Sequence, residues 1–378
     1  MISASQQSRK RTSRSVFKAI GTMVVVGTMM LTTACAADTS PTDPGADSDE
    51  LVIEGTVIAD AELWAAAKAE GKFILYTALS EARQNIILEA FKRDTGITTD
   101  IVRLGTAQLQ ERVISEHGSG VLEADVILTT GSIYADEFTE IGVYEQYTPV
   151  GIEAIDPGLF GGNGSWFVSM QSVNGIAYNS ALVSEADAPK RYDDLLDPRW
   201  GGGKIGMSDV TGGAAWAREL WLHDEYGVEY WESMATQNPI IESSQGNVTD
   251  MLARGEIEVA LALPGNIAAA AADGASVAFV VPEEGLIAYD HHIGLSSSAA
   301  NVNAAKVYLN WLLSKSGQAA IASAGDYPVT SDGPAPSMGE GATLPARDSG
   351  IIVQPDAERF VSFQPEGEDL WFRIHGLK

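Results

Sequence analysis

Hydroxyl and glycine residues stand where predicted strands pass into predicted helices, and these residue types suit the binding of an anion. Helix N-termini carry free N–H groups, which together with side-chain hydroxyls can hold a phosphate, a phosphonate or a carboxylate. The same residues also cap helices in any α/β protein, so only their convergence on one cleft would identify a binding site. The candidates are Thr77, Ser80, Thr106, Thr130, Ser132, Ser208, Thr211, Gly212, Gly213 and Ser244.

Charged and amide side chains near the same junctions could complete a site for an organic ligand. Arg83 or Arg103 could add a charge-assisted hydrogen bond to an anion, although a solvated surface arginine is the simpler interpretation of each. Asp209 and Asn266 could accept a hydrogen bond from an ammonium or hydroxyl group of the same ligand.

A transition-metal site is the alternative chemistry that the sequence offers. Tyr289, His291 and His292 lie close together in the chain, and Glu81 stands at the first strand-to-helix junction. A phenol, an imidazole and a carboxylate suit iron or another transition metal. Adjacent histidines on an extended segment point to opposite faces, so we expect at most one of them to reach a cleft. One exposed and one hydrogen-bonded histidine, with no metal, is the competing interpretation. The other histidines have no partner at metal-ligand spacing and are expected to be structural: His117, His223 and His375.

The elements that must position these residues alternate between apolar strands and helical patterns. This alternation predicts an α/β protein with a mostly parallel sheet, in which ligands bind at the carboxyl ends of the strands. It occurs in two stretches of the chain, which predicts two lobes. The predicted segments are strands at 73–79, 98–104, 124–130, 174–179 and 257–263, helices at 80–96 and 106–117, and passages into helices at 204–220 and 240–256.

The N-terminal part of the chain has the pattern of an export signal. A basic stretch, Arg9–Lys18, precedes the apolar run Ala19–Leu31, which is shorter than a membrane span. Cys35, the one cysteine in the sequence, follows small residues and resembles the lipobox cysteine of bacterial lipoproteins. We therefore expect a signal peptide at 1–34 and a lipidated cysteine with a flexible tether at 35–51, anchored to the outer face of the bacterial cytoplasmic membrane. A spare cysteine in an ordinary signal peptide is the alternative.

The charge of the chain limits its partners. There are 24 Lys and Arg residues against 51 Asp and Glu residues, which gives a formal net charge of −27. Such a surface repels nucleic acid and anionic lipid headgroups, so neither is an expected partner.

Several segments between Val52 and Ser331 are similar to those of a known family. They read LYTALSEARQNIILEAFKRDTGI, ADVILTTG, NGIAYNSALV, KRYDDLLDPRWGGGKIGMSD and VNAAKVYLNWLLSKSGQAAIASAGDYPV. In this order they resemble the extracellular solute-binding proteins of ABC importers, and within these the ferric-iron-transport branch. That branch also includes binders of phosphonates, polyamines and sugar phosphates.

The resemblance implies a type II periplasmic-binding fold, with two α/β lobes, a hinge and an interlobe cleft. It also implies a monomeric, non-enzymatic receptor that closes on its ligand and is recognised by the permease and ATPase subunits of an importer. The implied organisation is lobe 1 at 52–168 and 290–322, lobe 2 at 174–282 and 323–378, and chain crossings near Val168–Asn174 and Pro282–His291.

The resemblance leaves the ligand open. Ferric iron, as transported ligand and not as resident cofactor, is what the ferric branch implies, and its members present adjacent tyrosines after the strand that 257–263 matches. Here Leu261–Gly274 reads LALPGNIAAAAADG, with Gly265 and Asn266 at the matching place. A phosphonate, a sugar phosphate, a polyamine or another small organic solute is therefore the alternative.

A secreted hydrolase is a remote alternative from a different class. The segment HGSGV at 117–121 lacks the first glycine of the nucleophile elbow, and WGGGKIG at 200–206 lacks the pattern of a phosphate-binding loop. The single cysteine precedes the folded body, which argues against thiol catalysis.

Overall fold

The structure is a computed structural model that describes residues 49–339 and 342–377. The predicted signal peptide, Cys35 and most of the predicted tether therefore lie outside the described residues. Among the described helices, none is both long enough and apolar enough to cross a membrane.

The described residues form twelve α-helices, whose ends follow local sequence signals. Asp60 caps the first helix by accepting a hydrogen bond from the backbone N–H of Leu63 at 2.9 Å, and Gly71 ends it in the left-handed conformation. The helices are α1 (Ala61–Glu70), α2 (Glu81–Thr95), α3 (Thr106–Gly118), α4 (Ser132–Glu140), α5 (Gly213–Tyr226), α6 (Val228–Thr236), α7 (Gln245–Arg254), α8 (Pro264–Ala272), α9 (Val302–Leu312), α10 (Lys315–Ser323), α11 (Ala357–Ser362) and α12 (Gln364–Ile374).

Seventeen short and long strands complete the described chain. The strands are β1 (Leu51–Ile53), β2 (Thr56–Ala59), β3 (Lys72–Thr77), β4 (Thr98–Arg103), β5 (Val126–Thr130), β6 (Tyr144–Glu145), β7 (Phe160–Gly161), β8 (Trp166–Asn179), β9 (Ile205–Ser208), β10 (Ile240–Glu242), β11 (Val259–Ala262), β12 (Val277–Val280), β13 (Leu286–Ser296), β14 (Tyr327–Pro328), β15 (Ser337–Gly339), β16 (Ala342–Thr343) and β17 (Ile352–Val353). The longest of them, β8, is buried along its whole length.

One continuous sheet joins thirteen of the described strands. Its main path runs β10-β9-β11-β8-β13-β5-β3-β4. Towards the two ends of this path the pairs β3–β4, β3–β5, β9–β10 and β9–β11 are parallel. In the centre, β8 and β13 run antiparallel. Helices alternate with the parallel strands, so the predicted α/β fold class is confirmed. The expectation of a mostly parallel sheet is wrong, because β8 and β13 also pair antiparallel with β11 and β5.

One predicted strand is part of a longer element. The segment 174–179 is the end of β8, which begins at Trp166. The polar residues Gln171, Ser172 and Asn174 interrupt the apolar pattern, and they are nevertheless buried because each has hydrogen-bond partners inside the protein.

The buried apolar residues separate into two main cores. The first core draws on residues 51–170 and 293–329, and the second core on residues 176–289 and 360–371. Strands β8 and β13 pass from one core to the other side by side. The chain passes again between Val329 and Phe360, because Val329 belongs to the first core and Phe360 to the second. These crossings bring residues of both cores to the middle of β13.

Candidate functional site

A cavity of about 200 Å³ lies beside the middle of β13, between residues of the two cores. The first core side contributes Thr130, Ser132 and Trp166, and the second core side contributes Ala217 and Phe360. Residues 288–290 and His292 of β13 form its floor. A ligand in this cavity would therefore contact both halves of the protein at once.

The two halves touch directly beside the cavity, at glycines. A Cβ atom placed on Gly213, at the start of α5, would lie 2.6 Å from Cγ2 of Thr130. A Cβ atom on Gly131 would lie 3.1 Å from the Phe360 ring. Contacts of this kind need glycine because a side chain would hold the two halves apart. The two halves therefore meet beside the cavity in this structure, and we call this contact the closed arrangement.

Asp290 brings a carboxylate to the cavity. Its Oδ1 accepts hydrogen bonds from Nε2 of Gln171 at 2.7 Å and from Nε2 of Gln354 at 2.9 Å. Both bonds fall on the same oxygen, so Oδ2 keeps its capacity to accept a hydrogen bond from a ligand.

His292 forms part of the cavity wall as a neutral ring. It is 4% exposed, and its centroid lies 4.8 Å from that of Trp166 in an edge-to-face arrangement. Burial lowers the pKa of His292, although the carboxylates of Asp290 and Asp136 act in the opposite direction. Its Nδ1 is buried without a hydrogen-bond partner in the structure. Trp166 is held in place by the bond from its Nε1 to Oδ1 of Asp136, at 2.9 Å.

A buried network centred on Ser172 occupies the other side of β13. Arg83 donates from one guanidinium nitrogen to Asp326 Oδ1 at 2.6 Å and to Ser172 Oγ at 3.0 Å. The Ser172 hydroxyl also contacts Asp326 and lies 2.8 Å from His291 Nε2. Burial lowers the Arg83 pKa, but Asp326 and Tyr289 raise it by more, so the guanidinium remains charged. We call Arg83, Ser172, His291 and Asp326 the buried network.

The sequence-based interpretation of Arg83 as a solvated surface residue is wrong. The residue is 7% exposed, because α2 turns this side chain inwards toward the crossing strands. Arg103, by contrast, is exposed at the end of β4. Ion pairing with Asp326 makes the burial of the Arg83 charge tolerable.

Some of the predicted ligand residues meet at the cavity. Thr130, Ser132, Tyr289 and His292 line it. Thr106 lies next to them, since a Cβ atom on Gly213 would be 3.9 Å from its hydroxyl.

Other predicted ligand residues serve local structure. Thr77 bonds to Gln84 at 3.0 Å and accepts a bond from the N–H of Leu79. Ser80 accepts a bond from Arg83 at 3.2 Å, and Ser244 caps α7. Asp209 closes a turn with the N–H and hydroxyl of Thr211. The remaining predicted residues take these positions: Gly212 is the N-cap of α5, Glu81 is exposed in the first turn of α2, and Asn266 is half-buried near the start of α8.

The histidines do not join Glu81 in a metal site. Within residues 49–339 and 342–377, no group of three or more His, Cys, Asp or Glu side chains is placed to hold a metal ion. His291 belongs to the buried network and His292 to the cavity, because adjacent strand residues point to opposite sides. Both are buried, so the expectation of one exposed histidine is wrong. Of the histidines expected to be structural, His223 and His375 both pack against aromatic rings.

Sequence reasoning missed the residues that distant segments bring to the cavity. From the sequence, Asp290 lies near a strand end, where a cap or turn role is the simpler interpretation. Its place on the same strand face as His292 was the signal for a position at the cavity. Phe360 and Gln354 come from the C-terminal segment, and no local pattern connects them with Trp166.

Comparisons with known proteins agree with this architecture. The family model described as bacterial extracellular solute-binding protein matches residues 123–354. An Fe(3+)-binding periplasmic protein of Serratia marcescens is 26% identical over 137 residues, which is 36% of this chain and 40% of that protein. An uncharacterised protein of Haemophilus influenzae is 23% identical over 265 residues, 67% of this chain and 75% of that protein.

Two solved structures share the fold over nearly their whole length. Iron-bound HitA from Pseudomonas aeruginosa superposes with a TM-score of 0.64 at 21% identity, covering 80% of this chain and 99% of HitA. The periplasmic binding protein AfuA from Actinobacillus pleuropneumoniae, solved with fructose-6-phosphate bound, gives a TM-score of 0.64 at 19% identity, covering 81% of this chain and 99% of AfuA.

Proposed function

We propose that this chain, which belongs to the family of bacterial extracellular solute-binding proteins, captures a small organic solute in the cavity between its two cores. The family and the structural neighbours are binding proteins of ABC-type transport, not enzymes, so this part of the sequence-based interpretation is confirmed. The family also implies delivery of the solute to the permease and ATPase of an ABC transporter.

The observation that carries the proposal is that both cores line one cavity and touch beside it. A ligand in contact with Ser132 on one side and Phe360 on the other favours the closed arrangement over an open one. Binding and closure are then coupled, because a ligand stabilises the conformation to which it binds more tightly. A closed receptor has a surface that differs from that of the open one, which a permease can recognise.

Ferric iron held directly by protein side chains fits this structure less well. A Cβ atom on Gly265, where the ferric branch presents tyrosine, would lie 2.8 Å from the carbonyl oxygen of Ala324. A tyrosine could not stand there without moving that segment. The described residues also lack a cluster of His, Cys, Asp or Glu suited to a metal ion. We therefore place an organic solute before ferric iron.

Thermal stabilisation tests the proposal. Purified soluble protein is heated with each of a set of small solutes, including amines, sugar phosphates, aminoethylphosphonate and ferric citrate. A ligand that binds only the folded protein must raise its melting temperature. Closure is read separately as a decrease in the radius of gyration by small-angle scattering. If ferric citrate alone stabilises the protein, the ligand assignment is wrong; if no solute stabilises or compacts it, the receptor function is wrong.

We further propose that Cys35 carries the lipid that holds the receptor at the outer face of the cytoplasmic membrane. The proposal is supported by the export signal and by the position of the sole cysteine directly after it. Two or more acyl chains are needed for stable anchoring, which a lipoprotein cysteine supplies. Cells that express Cys35→Ser should release the protein and incorporate no labelled palmitate into it. Retention of the variant in the membrane would contradict the anchor.

A further inference from the structure

We propose that the solute is an organic cation, whose charged group lies against the Asp290 carboxylate and the ring of Trp166. This inference rests on the proposed function, since it names the class of solute that the cavity takes. It is carried by the charges and rings of the cavity wall.

The charge of the wall is negative. Asp290 is the one charged residue among the described residues that line the cavity. Its two hydrogen bonds come from neutral amides, and both fall on Oδ1. A partly buried carboxylate without an ion-pair partner is costly, and a bound cation would remove that cost.

Among the residues that the structure describes, no cation forms an ion pair with Asp290. Arg347 is close enough for the two charges to influence one another, but the pair is absent from the ion pairs formed by the described residues. The Arg347 guanidinium instead donates to the carbonyl oxygen of Pro328 at 3.1 Å. His292 adds no charge, because burial lowers its pKa.

The N-terminus of α4 disfavours a bound cation, but its partial positive charge is smaller than the negative charge of the Asp290 carboxylate. Ser132 begins α4 at the cavity, and a helix N-terminus carries the equivalent of about half a positive charge. The Asp290 carboxylate carries a full negative charge at the same wall. The backbone N–H of Gly131 is in addition directed to the Asp290 carbonyl oxygen, at 3.4 Å. The net preference is for a cation.

Aromatic rings make the wall suitable for an organic ammonium group. Trp166 and Phe360 both line the cavity, and the face of an aromatic ring attracts cations, with tryptophan the strongest. The hydrogen bond from Trp166 Nε1 to the Asp136 carboxylate increases the electron density of the indole ring. A sugar phosphate or phosphonate would be bound more tightly if arginine or lysine supplemented the helix N-terminus, and neither cation is found among the described residues at this wall.

The size of the cavity limits the cation. About 200 Å³ is several times the volume of roughly 30 Å³ that a water molecule occupies in the liquid, and it is below the range of about 300–1,000 Å³ typical of drug-sized ligands. A compact ammonium compound fits this range, whereas a ferric–siderophore complex does not.

Matched cationic and neutral probes test the inference. Choline and 3,3-dimethyl-1-butanol have nearly the same shape and differ in charge, and putrescine and agmatine extend the set to primary ammonium and guanidinium groups. At least one cation is expected to bind, with choline binding at least tenfold more tightly than its neutral analogue by calorimetry. Asp290→Asn should weaken cation binding at least tenfold, and Asp290→Glu should restore most of it. Asp273→Asn, on the exposed end of α8, is the matched control and should leave binding unchanged.

Each remaining result has a distinct meaning. If aminoethylphosphonate or a sugar phosphate stabilises the protein and none of the cations does, the proposal of a cationic solute is wrong. The proposed receptor function is then still supported. Equal affinity for choline and its neutral analogue, or unchanged cation binding by a folded Asp290→Asn protein, also overturns the proposal of a cationic solute. Failure of every solute to stabilise or compact the protein overturns the proposed function itself. The melting temperature of each variant without ligand shows whether it is folded.

Discussion

The two sides of strand β13 differ in whether a buried charge has an ion-pair partner. On one side, His291 belongs to the buried network, where the Arg83 guanidinium and the Asp326 carboxylate meet at 2.6 Å. On the other side, His292 and Asp290 face the cavity, and the hydrogen bonds that the Asp290 carboxylate accepts from described side chains come from the neutral amides of Gln171 and Gln354. One residue step along a strand separates the two environments.

The difference separates polar groups that are paired inside the protein from a carboxylate that faces a cavity. A charge that is paired inside the protein contributes to a defined structure, and breaking the pair is costly. A charge with unused hydrogen-bonding capacity in a cavity is instead available to a partner. We therefore expect changes in the buried network to affect stability, and changes at the cavity to affect binding.

The largest effect is expected from breaking the buried ion pair. Arg83→Met leaves the Asp326 carboxylate buried without its cation, which should lower the free energy of unfolding by about 3–5 kcal/mol. Urea denaturation measures it. The double variant Arg83→Met/Asp326→Asn should recover part of the loss, because no charge is then left unpaired. Lys72→Met, which breaks an exposed ion pair with Asp100, is the control and should change little. If Arg83→Met and Lys72→Met lower the free energy of unfolding equally, burial does not make the Arg83–Asp326 pair more important to stability than the exposed Lys72–Asp100 pair.

Acidification should weaken the fold through the buried histidines on both sides of β13. Burial lowers the pKa of His291 well below its usual value, and that of His292 below it as well. The unfolded chain takes up protons as the pH falls through about 6.5, whereas the folded chain resists them. The contribution of the two neutral histidines to the free energy of unfolding is therefore complete above about pH 7. Below about pH 7, the free energy of unfolding declines by at most about 1.4 kcal/mol per pH unit for each histidine, until the pH reaches the pKa of that histidine in the folded state.

A His291→Gln variant sharpens this prediction. Its free energy of unfolding, measured by urea denaturation between pH 7.5 and 5.5, should depend less steeply on pH than that of the parent protein. An unchanged slope would show that folding does not lower the pKa of His291.

Closure should depend on the glycine at the start of α5. Gly213→Ala places a methyl group against Thr130, so the two halves cannot meet as they do here. We expect at least a tenfold loss of affinity for any cavity ligand and a larger radius of gyration in its presence, with the melting temperature of the free protein little changed. Gly212→Ala is the matched control, since no atom lies within 4 Å of the added methyl group. Full affinity in Gly213→Ala would show that direct contact of the halves is not needed for binding.

The smallest effect should separate a helix cap from a ligand residue. Ser244→Ala removes the cap of α7 and should lower the free energy of unfolding by about 1 kcal/mol while ligand affinity stays the same. Ser132→Ala, at the cavity, should do the reverse: stability is kept and affinity falls modestly. Loss of ligand affinity in Ser244→Ala would show that Ser244 contributes to ligand binding as well as to the cap of α7.

The sequence predicted the elements better than their contacts. Strands β3, β4 and β5 and helices α2 and α3 lie close to their predicted positions, because local apolar patterns and glycine stops mark them. The long strand β8 was predicted only at its end, since its buried polar residues hide the apolar pattern. Their partners are on other segments, which no local pattern can reveal.

The candidate site could be predicted only in part. Four residues that the sequence predicted as ligand residues line the cavity, because junctions and unusual residue types stand out in a sequence: Thr130, Ser132, Tyr289 and His292. The role of Arg83 was not, because Asp326 lies 243 residues away in the chain.

The sequence by itself determined the family and the α/β alternation, because these depend on local periodicity and on ordered segments. The export signal and the lipid at Cys35 are predictions from a local pattern of the same kind. The tertiary structure decided how Asp290 and His291 differ. Strand alternation sends neighbouring side chains to opposite sides, but the chain crossings determine what each meets there. A paired cation stands on one side and a cavity on the other, since segments far apart in the sequence supply Arg83, Asp326 and Phe360.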